Sequence, residues 1–173
     1  MFLNKDDNSN YEITCLNNNI NLMNYKDVNW KEINMVDSLT LPEDSLDIRK
    51  INSIIVGCSI QKKQLIHTPM IKNTPIENLE GEIMTGFKLM IQGEVDEKIF
   101  YTVDNEEQLI RACEFRLPFY TAITLDKETQ INDTYYVQSY IENLYTKVIN
   151  QREISNNITI FLNAEKIRIG NYK

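Results

Sequence analysis

The sequence predicts a mainly β chain: an antiparallel β-sandwich or barrel-like single domain with an extended N-terminal arm. Three observations carry this. Strict alternation of apolar and polar residues recurs in several segments, the period of a half-buried strand. These segments follow one another at roughly 8 to 15 residue spacing, separated by turn residues. No long stretch shows the 3.6-residue period of an amphipathic helix.

Taken in order, residues 1–10 are polar, as chain termini outside a core tend to be. Ile13 and Cys15, an Asn-rich stretch, and then Ile20 and Leu22 read as a short strand or an extended arm. Trp30 to Leu41 places apolar residues at Ile33, Met35, Leu39 and Leu41 before Pro42 and the acidic EDSLD cluster break the pattern. Ile54, Val56, Cys58 and Ile60 then alternate with Ser53, Ile55, Gly57 and Ser59. Thr68 to Gly81, with Pro69, Pro75 and Gly81 and little periodicity, reads as a loop. Gly86 to Val103 alternates on both sides of Asp96-Glu97, which predicts a hairpin with a charged turn. Gln108 to Phe115 fits either helix or strand, and the alternation of Arg111, Cys113 and Phe115 favours strand. Pro118 is read as restarting the chain into Phe119 to Leu125. Tyr135, Val137, Ser139, Ile141 and Tyr145 are predicted on one face of a long strand, with Tyr136, Tyr140 and Leu144 on the other. Ile158, Ile160 and Leu162 mark the last strand. The division this suggests is an arm over residues 1–27 with at most a short strand, a β domain over 28–165 and a tail over 166–173.

Composition narrows the function. At 173 residues the chain is long enough to bury a core without disulfide staples. A net charge of −7, with no basic run longer than two residues, as at Lys62-Lys63, argues against tracking nucleic-acid phosphates and against an anionic membrane surface. No segment approaches the roughly 18 to 20 apolar residues of a membrane span. The polar run after Met1-Phe2-Leu3 leaves no signal-peptide h-region, so synthesis in the cytoplasm is expected.

Catalytic chemistry is not legible. The sequence has no GxSxG, P-loop, GxGxxG or HExxH pattern. His67 is the only histidine, and in the context IHTP it reads as solvated or structural rather than as a general base. Glu94 and Glu97, flanking the predicted turn, and Asp104, Glu106 and Glu107 read as solvated loop carboxylates rather than as a pair facing across a cleft. No metal or other cofactor is expected. Cys15, Cys58 and Cys113 lack metal-ligand spacing and read as reduced thiols; the sharper alternative makes them candidates for an intermolecular disulfide. Tyr120, Tyr136 and Tyr140 read as core or cross-strand aromatics, with a sugar-stacking platform as the alternative.

Three segments together carry a resemblance: WKEINMVDSLTLPEDSLDIRKI at 30–51, GFKLMIQGEVDEKIFYTVD at 86–104 and QLIRACEFRLPFYTAI at 108–123. In order and spacing they resemble the SPOCS domain, a β-rich module of sporulation proteins in clostridia and their relatives. The matching positions are Leu41-Pro42 with Asp47-Ile48, Leu89 through Tyr101, and Phe115 with Pro118-Phe119. The resemblance implies a non-enzymatic role in building the spore coat or an outer spore layer, with no catalytic residues to transfer. It implies synthesis in the mother cell and deposition on the spore surface. Self-association or binding to other spore-layer proteins is the expected mode of action, with glycan binding as the alternative. Family members often add a LysM peptidoglycan-binding module; residues after 164 leave no room for one, so peptidoglycan binding is not implied here.

Overall fold

The computed structural model describes residues 11–16, 29–70, 76–77 and 83–167. The polar first ten residues, the Asn-rich stretch with Ile20 and Leu22, most of the predicted 68–81 loop and the tail beyond residue 167 lie outside the described residues.

Among the described residues there are nine strands and no helix: β1 (Glu12–Cys15), β2 (Asn29–Thr40), β3 (Ile48–His67), β4 (Ile76–Glu77), β5 (Ile83–Met84), β6 (Phe87–Val103), β7 (Ile110–Thr124), β8 (Tyr135–Asn150) and β9 (Glu153–Lys166). Two sheets carry the fold. One has the order β1-β3-β6-β7 and the other β2-β9-β8, while β4 and β5 form a separate two-residue ladder. The large sheets face each other, with β3 against β8 and β2 against β7, and neither closes on itself. The architecture is a sandwich, not a closed barrel.

The alternation seen in the sequence is what fills the space between the sheets. Ile54 and Val56 of β3, Val95 and Ile99 of β6, and Ile154, Ile158, Ile160 and Leu162 of β9 are each at most 1% exposed. Burying one such side chain stabilises by about 1.5 to 3 kcal/mol, so these residues fix both the faces and the register of their strands.

Four sequence expectations need correction. The 86–103 segment is one strand without a turn: Asp96-Glu97 lies mid-strand, with Gly57 and Val56 on one side and Arg116 and Phe115 on the other. The hairpins are formed instead between whole strands, β3 with β6 and β6 with β7. Pro118 does not restart the chain but sits inside β7, opposite Glu94. A proline is tolerated there because β7 is an edge strand, which needs its N–H groups on one side only. In β8 a register shift between Ile141 and Asn143 exchanges the two faces: Leu144 and Thr146 turn inward, and Tyr145 leaves the face of Tyr135. The predicted 68–81 loop carries the short strand β4.

Candidate functional site

The three segments that carry the family resemblance meet through packing. Arg152, in the β8–β9 turn, donates from Nη2 to the Pro42 carbonyl at 2.7 Å and from Nη1 to the Ser45 carbonyl at 2.9 Å and Asp47 Oδ1 at 3.0 Å. It clamps the connection between β2 and β3. Leu41 and Ile48, on either side of that connection, are buried, and Ile48 pairs with Val103 at the end of β6. Gly93 of the second segment faces Phe119 of the third across the β6–β7 ladder. A Cβ at Gly93 would overlap the Phe119 ring and lie 2.8 Å from the Ser59 carbonyl oxygen. These residues hold the sandwich together, and none of them brings nucleophile, base and cleft into one place.

Between the sheets lies one polar row. Glu97 is 1% exposed, so the expectation of a solvated turn carboxylate fails along with the turn itself. Asn156 Nδ2 donates to Glu97 Oε2 at 2.6 Å, and the Thr146 hydroxyl donates to Asn156 Oδ1 at 2.8 Å. The other carboxyl oxygen of Glu97 has no partner. Burial therefore pushes the Glu97 carboxyl up to about 7, against a smaller opposite pull from the Asn156 hydrogen bond. The row continues outward: Thr146 N–H donates to the Tyr11 hydroxyl, which in turn donates to the Thr146 carbonyl, both at 3.0 Å. Sequence reading missed this row because a Glu in an alternating strand carries no mark of which face it occupies. The clue present was phase: Val95, Glu97 and Ile99 share one parity.

The cysteines do not meet. All three are free; Cys58 and Cys113 are buried and Cys15 is half-buried. Burial raises the thiol of Cys15 and of Cys58, and it pushes Cys113 up to about 11 with further help from the Glu97 charge. None has the electropositive, exposed setting of a reactive thiolate. Nor do the three tyrosines form one platform. Tyr120 is 71% exposed on β7 of the four-stranded sheet, whereas Tyr136 and Tyr140 lie on β8 of the other sheet. Tyr140 is itself buried, tilted against Phe161 with ring centroids 6.2 Å apart. The aromatic cluster that does form runs across the outer face of β2-β9-β8, where Trp30 stacks on Phe161 at 5.7 Å. His67 lies against Phe87, with ring centroids 4.4 Å apart. Among the described residues no group of His, Cys, Asp and Glu is arranged to hold a metal ion. No helix among them is long and apolar enough to cross a membrane, which says nothing of spanning by strands.

The remaining candidates are the sheet edges, which differ in how they are protected. On β7 the edge carries Pro118 and the charges Arg111, Glu114 and Arg116. On β8 two register shifts bend the strand, and the Tyr11 hydroxyl occupies both backbone groups of Thr146. On β3 the edge is partly covered by β1. By contrast, β2 pairs with β9 over its whole length without a register shift, contains no proline and, among the described residues, has no strand on its other side. Lys31, whose partner Leu162 fixes it on the inner face, is the inward charge near its start. Val36 and Trp30, on its outer face, are 70% and 57% exposed.

Comparison with protein families gives a match to the family described as SipL, SPOCS domain, over residues 47–149. Comparisons with curated proteins and with solved structures find no significant match. The matched stretch contains β3 through β7 and all of β8 but its last residue, while β1, β2 and β9 lie outside it. The inner face of β9 nevertheless belongs to the same core, so the matched strands and those flanking them form one structure. The match covers more than half of the chain and lies within the stretch from Trp30 to Ala164 over which the resemblance runs. This chain belongs to the SPOCS-domain family and is, in that sense, a sporulation-related protein.

Proposed function

We propose that the chain is a non-enzymatic structural protein of the spore envelope, whether coat, exosporium or appendage, acting by self-association or by binding other spore-layer proteins. The observation that carries this reading is the open β2 edge. A twelve-residue strand without a register shift, and with no described strand on one side, offers a row of N–H and C=O groups to an incoming strand. Soluble sandwiches ordinarily blunt such an edge, as β7 and β8 do here. Pairing of β2 with β2 of a second copy makes a closed dimer, and pairing with a different edge makes an open array. Family membership supports a place in the sporulating cell; production in the mother-cell cytoplasm and deposition on the spore surface are part of the proposal.

The test is oligomeric state, read by light scattering across a concentration series. Wild-type chain is expected to associate, and Val36→Lys is expected to shift it toward monomer with thermal unfolding unchanged, because an isolated surface substitution alters stability by at most about 0.5 kcal/mol. Asn34→Pro should do the same by removing an edge donor, and it serves as a second reading if the lysine is accommodated. A wild-type chain that stays strictly monomeric at high concentration overturns the proposal.

A second reading, carbohydrate binding, is favoured by the outer face of β2-β9-β8. Exposed Trp30 and Tyr136, the latter 53% exposed, lie on the two outer strands, with the amides of Asn163 and Gln138 between them. Burial, then the nearby Glu32 charge, raises the Glu142 carboxyl. Aromatic faces beside amide donors and acceptors are the chemistry of neutral sugar recognition. Saturable binding to glycans or spore peptidoglycan that is lost in Trp30→Ala, with Tyr120→Ala unchanged, is the outcome expected if this reading holds.

A further inference from the structure

We propose that the segment from Tyr11 to Leu16 is an exchangeable strand, whose seat on one copy takes the same segment of a second copy. This rests on, and deepens, the assembly reading: it names a second interface and its occupant.

The seat is built in detail. β1 runs parallel to β3, with Glu12, Ile13, Thr14 and Cys15 beside Ser53, Ile54, Ile55 and Val56. Leu16 N–H continues the ladder to the Val56 carbonyl at 2.8 Å. Ile13 and Cys15 pack against the core. Leu16 lies over Gly57, where a Cβ would stand in contact with Leu16 Cβ at 3.4 Å. At the other end, the Tyr11 hydroxyl bridges the backbone of Thr146 on β8, so the segment joins both sheets. Every one of these partners belongs to β3 or β8.

Among the described residues, no ladder joins β1 to β2, the next strand given. β2 lies on the opposite lateral side of the sandwich, in the other sheet and against β7, so Leu16 and Asn29, with twelve residues between them in sequence, stand on opposite sides. Their separation amounts to about three strand spacings of about 4.8 Å and an inter-sheet gap of about 10 Å, besides the distance along the strands. A dozen or so residues can span about 40 Å at full extension, enough to reach the chain's own seat or that of an adjacent copy. The same hydrogen bonds and apolar contacts form either way, which is the condition under which exchange costs little. An empty seat exposes the β3 backbone and part of the core, so every copy favours an occupied one. The balance is then set by concentration. With a tether giving an effective concentration on the order of 1 mM, about 1% of seats are filled from another copy at about 10 µM and about half at about 1 mM. A crowded envelope layer lies at the upper end of that range. Because Cys15 faces the core when seated, the linkage needs no disulfide.

The test uses two full-length chains, each in a Cys15→Ser background, one carrying Glu12→Cys and the other Ser53→Cys. These positions are side by side in the β1–β3 register. A disulfide between them can form from a seated strand only when β1 of the first chain lies on β3 of the second. Mixed in a thiol–disulfide buffer, the pair is expected to give a heterodimer that contains the 12–53 linkage by peptide mass mapping. Its yield should follow the share of exchanged seats, which rises from about 1% toward half as concentration rises about a hundredfold, from about 10 µM to about 1 mM. A single chain carrying both substitutions reports whether the seat exists, by closing on itself. Closure in that chain with no 12–53 heterodimer at any concentration overturns exchange, and failure of closure overturns the seat. Oligomers that form without the linkage leave the β2 edge as the assembly surface, while a monomer without the linkage removes both.

Discussion

Glu97→Gln is expected to stabilise the chain by about 3 kcal/mol at pH 8 and to leave stability near pH 4 almost unchanged. The carboxyl titrates near 4.5 when exposed and at about 7 in the folded chain. Each unit of that difference corresponds to about 1.36 kcal/mol between protonation states. The folded state therefore binds this proton more tightly than the unfolded state. Its contribution to stability is fully present below pH 4.5, declines as pH rises, and is lost above about 7, where the ionised group must be carried between the sheets. Glutamine keeps an acceptor for Asn156 Nδ2 and cannot ionise, so the decline should disappear. Urea midpoints at a series of pH values measure it. A variant whose stability runs parallel to wild type from pH 5 to 8 would show that Glu97 is not the group responsible. Thermal data at pH 8 alone would not separate this from a general packing effect, which is why the pH series is the informative measurement.

The same residue shows where sequence reading stops. Alternation located β3, β6 and β9 because their buried faces are almost uniformly apolar, as with Ile54, Val56, Cys58 and Ile60. Glu97 interrupts such a face, and adjacent Asp96 and Glu97 look like a charged turn in one dimension. Only the paired strands on both sides show that the backbone continues. Pro118 misled in the same manner: a proline argues against a central strand, and whether β7 is central or at an edge is a property of the sheet order. In β8, the register shift after Ile141 inserts one residue, which no periodicity argument places in advance. The tyrosine platform failed for a topological reason, since Tyr120 and Tyr136 belong to different sheets. Trp30 and Phe161 were both visible in the sequence, but their adjacency depends on β2 pairing with β9, two strands at opposite ends of the domain.

Fold and proposed function meet at the edges. An antiparallel sandwich of two open sheets has lateral edges by construction, and the sequence treats them unequally. Proline and charges blunt β7, bulges and a tyrosine hydroxyl occupy β8, a borrowed or intrinsic strand covers part of β3, and β2 remains regular. A protein whose task is to remain monomeric has every reason to blunt the fourth edge as well. An assembly with two kinds of contact, one through β1 exchange and one through β2 pairing, would extend in two directions from a single small domain.

Gly93→Ala is expected to cost about 3 kcal/mol, an unusually large loss for adding one methyl group. Gly93 lies on the inner face of β6 with ordinary strand dihedrals, so the penalty is one of space and not of backbone conformation. Phe119, 5% exposed, lies across the glycine from the neighbouring strand, filling the volume that a side chain would take. The added Cβ would overlap that ring, and the Ser59 carbonyl at 2.8 Å prevents it from turning toward β3. Overpacking of a close-packed core typically costs about 1 to 3 kcal/mol, and the upper end applies where one of the obstructing groups is backbone. The alternative, displacement of Phe119 from its site, approaches the loss of about 3 to 5 kcal/mol seen when a buried Phe is truncated. The pair should therefore be coupled. Phe119→Leu is destabilising by itself, but in the Gly93→Ala background it should cost clearly less, because the smaller side chain gives up the space that the alanine needs. A double-mutant cycle from denaturant midpoints measures the coupling. Simple additivity would mean that the ring and the glycine do not share that space, and it would remove the packing explanation for why these two segments of the family pattern occur together.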